Sequence, residues 1–190
     1  MHTTMTKRLA LAALGLVALA SLSCSSELTD NASPVELVLS TTQTLARLDL
    51  ETGALGCDQN IGTITMQLIA KNSNTSNLNS VRVNRYRVSY RRIDGGTLIP
   101  RSFVRSMDAL IGVGSSAAIS DFVVIETDAL SQSPFAALQP QNGGRDPETG
   151  RPVVKLEVIV EVFGETLGGD NVSDSTSFPL DFCFSCGGCS

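Results

Sequence analysis

Val154, Leu156, Val158, Val160 and Val162 alternate with Lys155, Glu157 and Glu161, and this run dictates the kind of fold the chain can adopt. Successive side chains of a strand point to opposite faces, so apolar and charged residues separated with a period of two specify a strand with one face in a core and one in water. Ile61 to Lys71 repeats the pattern, with Ile64, Met66, Leu68 and Ala70 on one side. Phe178, Leu180, Phe182 and Phe184 repeat it again near the C-terminus. Strands are also expected from Val35 to Thr41, Leu45 to Leu50, Val81 to Ile93, Thr97 to Val104, Leu110 to Gly114 and Ala117 to Thr127. Ser131 to Leu138 reads as a short helical turn, and Gln139 to Pro152, with three prolines and three glycines, as an exposed loop. No strand–helix–strand repeat is present, which argues against a parallel α/β sheet and for an all-β sandwich of about seven to nine strands.

Inside the fourth of these runs the phase changes. Val81 and Val83 are odd positions, whereas Tyr86, Val88 and Tyr90 are even, so one face can hold all five only if the register slips. A β-bulge near Asn84 and Arg85 supplies that slip. Pro100 interrupts the next expected strand and marks it as an edge.

The N-terminus follows other rules. Lys7 and Arg8 precede an uncharged run rich in Ala and Leu, from Leu9 to Leu22, which ends at Ser23 and Cys24. This is the layout of a secretory signal, and the run is short for a membrane span of about 20 apolar residues. Ala20-Ser21-Leu22-Ser23-Cys24 resembles the lipobox of bacterial lipoproteins, which implies cleavage before Cys24 and a diacylated thiol there. The expected organisation is a signal peptide over 1–23, a lipidated cysteine and tether over 24–34, and a β-domain over 35–190. The polar tether closes at Pro34 and would hold the domain close to the membrane.

Cleavage alters the available chemistry. The single histidine, His2, leaves with the signal, which removes Ser-His-Asp and Cys-His catalysis and histidine metal ligation from consideration. Lys7 and Arg8 leave too, so 12 of the 14 basic residues remain against 19 acidic ones, a formal balance of −7. Such a chain repels nucleic acid, so no nucleic-acid partner is expected.

With Cys24 lipidated, Cys57, Cys183, Cys186 and Cys189 remain, an even number for an oxidising compartment. Two structural disulfides with open connectivity are expected. Cys183 is out of phase with Phe182 and Phe184 and is expected to point away from the core. The two CxxC steps of the tail are also compatible with a thiolate metal site completed by Cys57. Oxidation outside the cytoplasm and the absence of a following helix weigh against that site, so no metal or other cofactor is expected. Asp170, Asn171 and Asp174 offer oxygen ligands, but their spacing departs from a calcium loop and fits a hairpin turn better. Asp146, Glu148 and Glu51 are expected to be solvated charges in loops, not a hydrolytic pair.

Arg82, Arg85, Arg87, Arg91, Arg92, Arg101 and Arg105 concentrate positive charge in one stretch of an acidic protein. On a sheet Arg85, Arg87 and Arg91 share a face, which makes them the candidate contact surface for an acidic envelope protein or polyanion. Charges also discourage strand addition, so a solvated face is the plainer reading.

The segment from Val83 to Gly95 (VNRYRVSYRRIDG), downstream of a lipobox and upstream of a cysteine-bearing tail, resembles uncharacterised lipoproteins of Gram-negative envelopes that carry one immunoglobulin-like β-sandwich. The resemblance implies that architecture, a surface or periplasmic location and no known activity, and Ser25 after the lipidated cysteine resembles the usual sorting pattern for the outer membrane. It carries over no functional residue except Cys24. The expected role is therefore a non-catalytic structural or interaction module. A carbohydrate- or polymer-binding module is the alternative, disfavoured by the lack of Trp for stacking on sugars.

Overall fold

The computed structural model describes residues 33–43, 47–51, 62–120 and 122–186. Eight strands are formed among them: β1 (Val35–Gln43), β2 (Arg47–Asp49), β3 (Gly62–Ala70), β4 (Val81–Arg92), β5 (Phe103–Ile111), β6 (Ser116–Ile119), β7 (Val153–Thr166) and β8 (Asn171–Cys183). They make two sheets, a three-stranded one in the order β1-β3-β6 and a five-stranded one in the order β2-β8-β7-β4-β5. The larger sheet is curled into a half-barrel. All neighbours are antiparallel except β2 and β8, which run parallel with Arg47 opposite Asp181 and Asp49 opposite Cys183. The chain thus leaves the small sheet after β1 and joins the large one as β2.

The alternating runs bury the faces the pattern demands. Val154, Leu156, Val158, Val160 and Val162 of β7 are fully buried, as are Ile64, Met66 and Leu68 of β3. In β4 the register shifts between Val83 and Arg85 against both neighbours, and Val81, Val83, Tyr86, Val88 and Tyr90 all reach the core. Gly164 lies opposite Val83 beside this bulge. A Cβ there would come within 2.7 Å of Val81 Cγ1 and 3.0 Å of the Arg82 carbonyl oxygen, so only glycine lets β7 pass so close.

Three expectations need correction. The strand from Thr97 to Val104 does not form; residues 96–102 are irregular and β5 starts only at Phe103, past Pro100, then absorbs Leu110 and Ile111. The strand from Ala117 to Thr127 stops at Ile119. Phe122, Val124 and Ile125 are buried nonetheless, because the two tyrosines of β4 hold this segment over the core without a ladder. The Tyr90 hydroxyl donates to the Val124 carbonyl at 2.7 Å, and the Tyr86 oxygen accepts from the Val123 N–H at 3.3 Å. Finally, β8 begins at Asn171, ahead of the expected strand. The short helix α1 (Phe135–Leu138) occupies the expected helical turn, with the Phe135 ring tilted against that of Phe182, centroids 4.9 Å apart.

All strands begin or end at one of two poles. β1, β4, β6 and β8 start at the first pole, where β3, β5 and β7 end; β8 ends at the second, where β4 also ends and β5 and β7 start.

Candidate functional sites

On the outer face of the large sheet, the bulge puts Arg85, Arg87 and Arg91 in one exposed row. They are brought together as expected, but not as an uncompensated basic patch. Arg87 pairs with Glu161 and Arg91 with Glu157, each from the register position directly opposite on β7. Arg85 and Arg87 lie over the Phe163 ring, 4.8 and 5.7 Å from its centre. The row is therefore a mixed surface of guanidinium, carboxylate and one aromatic ring, whose exposed ion pairs contribute under about 1 kcal/mol each.

At the second pole stands a charge cluster the sequence did not disclose. Arg92, with a side chain 3% exposed, donates to Asp94 at 2.7 Å and to Asp146 at 2.8 Å, and both carboxylates are fully buried. Glu148 lies 3.7 Å away and accepts from the N–H groups of Thr97 and Leu98 at 2.7 and 2.8 Å. Every acceptor is engaged further: Asp94 receives the N–H of Lys155 and Gly96, and Asp146 the N–H and hydroxyl of Thr149. Burial alone would raise the Asp94 carboxyl, but Arg92 and the two N–H groups outweigh it and hold it at about 2. Asp146 is likewise lowered, because Arg92 and Thr149 overcome the same burial. The N–H of Leu98 and the Thr97 hydroxyl, among others, lower Glu148. The loop from 139 to 152 is thus not simply a solvated excursion: Asp146 is a buried anchor that ties it to the end of β4. With its acceptors satisfied from within, the cluster is built as a latch.

The tail closes on β2 at the same pole. Cys183 and Cys186 have Cα atoms 6.0 Å apart and sulfurs at bonding distance. Asp49, itself buried, accepts from the N–H of Ser185 at 3.1 Å and of Cys186 at 2.9 Å, and the Leu50 N–H donates to the Cys183 carbonyl at 2.8 Å. Ser185 adopts a φ of 52°, which turns the chain back over Cys183. Cys183 is in consequence 1% exposed, against the expectation that it points outward. It does leave the Phe182 face, but its own tail covers it, 3.8 Å from the Leu48 carbonyl. Cys24, Cys57 and Cys189 lie outside the described residues. Among the described residues no three metal-binding side chains converge.

Asp170 and Asp174 do not share a ligand geometry. Asp170 closes the β7–β8 turn onto Thr166, while Asp174 accepts from the Leu39 N–H at 2.7 Å and seals the seam between sheets. No protein-family model matches this chain, and no curated protein sequence does.

Proposed function

We propose that this chain is a lipid-anchored, non-catalytic protein of the cell envelope, held in the outer membrane through Cys24. Its immunoglobulin-like sandwich acts as a structural or protein-interaction module. The observation that carries the reading is a boundary: the compact unit starts at Ser33, within a few residues of where the polar tether after the lipobox closes. The immunoglobulin-like assignment is supported by the division of the strands into two sheets, with β1 paired antiparallel to β3 in the smaller and β2 beside the last strand in the larger. Buried charge is committed to latching loops, which leaves the outer face of the large sheet as the contact surface. There Arg85 and Arg87 flank Phe163, a combination of cation and aromatic ring suited to a protein partner with acidic and apolar groups.

The test is the intact mass of the protein purified from its native membranes, alkylated without reductant. A diacylglyceryl-modified chain beginning at Cys24 is expected. An unmodified cysteine, or a chain that retains residues 1–23, refutes the anchor.

A further inference from the structure

Exposed large apolar side chains occur at both poles, Ile93, Leu98 and Ile99 at the second and a group of leucines at the first, where the described domain begins. The Lys71 N–H donates to the Pro34 carbonyl at 3.0 Å, so the entry of β1 sits beside the exit of β3. Gly114 N–H donates to the Leu68 carbonyl, and the N–H groups of Leu167 and Gly168 donate to the carbonyls of Ser80 and Leu78, which gathers three loops there. From these loops and the end of β5, Leu78, Leu110 and Leu167 project with 61%, 64% and 52% of their surface exposed. Leu110 and Leu167 also line a depression of about 310 Å³ with Ala109, Arg82 and Asp108, and the last two neutralise each other at 2.9 Å. The loops of this pole, residues 71–80, 112–115 and 167–170, carry two charged residues, Lys71 and Asp170. The loops of the second pole carry Asp94, Arg101, Arg145, Asp146, Glu148 and Arg151.

We propose that the first pole rests on the bilayer surface that holds the anchor, with Leu78, Leu110 and Leu167 at the boundary between headgroups and acyl chains. This deepens the proposed function and rests on lipidation at Cys24. Residues 25–32 separate Cys24 from Ser33, and a segment of that length spans at most about 30 Å. The second pole lies the length of β4 away, about 40 Å for 12 residues, beyond the tether's ordinary reach. An acidic domain is repelled by anionic headgroups, so a leucine-tipped end whose Arg82 and Asp108 pair with each other is where it can approach a membrane at least cost.

Since the chain contains no Trp, Leu167→Trp or Leu78→Trp in the full lipidated protein introduces a single emitter at the first pole, and Ile99→Trp one at the second. Each variant is reconstituted into phosphatidylcholine–phosphatidylglycerol vesicles with or without dibrominated acyl chains, and lipidation is checked by intact mass. Blue-shifted emission, quenched by bromine for Leu167→Trp and Leu78→Trp but not for Ile99→Trp, is the expected result. Equal quenching at both poles, or none at the first pole in a sample whose mass shows lipid on Cys24, overturns the docking and leaves the anchor standing. An unmodified Cys24 overturns the anchor, and the docking with it.

Discussion

Replacing Arg92 with methionine preserves much of its volume while leaving Asp94 and Asp146 buried with no countercharge. Breaking a buried pair from one side costs about 3–5 kcal/mol, because the remaining charge has lost both water and partner. Here two fully buried carboxylates are stranded, so the upper part of that range is expected at pH 7. The loss also has a characteristic pH dependence. In the native chain Asp94 is held at about 2, below its ordinary 3.8, so it contributes on the order of 2 kcal/mol at neutral pH. That contribution is present above about pH 4 and is lost as the pH falls through about 2. In Arg92→Met the burial that raises both carboxyls is no longer opposed by the guanidinium, so protonation relieves the variant as the pH falls. The gap between the two proteins should therefore narrow from pH 7 to pH 3. Urea unfolding of the mature chain, followed by circular dichroism at both pH values, measures it. A difference under about 1 kcal/mol at pH 7, or the same gap at pH 3, refutes the latch.

Gly164→Ala forces a methyl against Val81 and the Arg82 carbonyl, neither of which is free to swing away, and should cost about 1–3 kcal/mol in the same assay; a neutral effect would show that the bulge yields. Tyr90→Phe leaves the Val124 carbonyl without its donor, with an expected loss of about 1–3 kcal/mol and faster amide exchange across residues 122–126. Exchange unchanged there would mean that the tyrosine does not hold the segment. Peptide mapping without reduction should recover Cys183 linked to Cys186, and by exclusion Cys57 linked to Cys189. Two alkylated thiols at Cys57 and Cys189 would refute the second bridge.

How much of this was legible in the sequence depended on the range of the interaction. Alternation in β3 and β7 and the phase slip in β4 are local, since each is written in neighbouring side chains. The buried run 122–125 misled because hydrophobicity reports burial and not pairing; two tyrosine hydroxyls from β4 stand in for a ladder there. The sequence presents Asp146 as a solvated charge because its partner is 54 positions away, and nothing in a loop rich in Gly and Pro announces a distant guanidinium. Alternation puts Cys183 on the face opposite Phe182, but face does not decide exposure when the chain turns back at Ser185. The arginine row was found by period alone, whereas its neutralisation needed the β4–β7 register that sets Glu157 and Glu161 opposite Arg91 and Arg87.

The first strand's change of sheet has a mechanical meaning. A load entering at the N-terminus first meets the ladder of β1 with β3, nine residue pairs from Val35 to Gln43. Leu39 ties β1 directly to Asp174 of β8, and beyond the ladder the load reaches β2, which pairs parallel with β8 in the large sheet. The two N-terminal strands thus place one ladder in each sheet, β1 with β3 and β2 with β8. Traction along β1 is resisted by ladder hydrogen bonds strained together in shear.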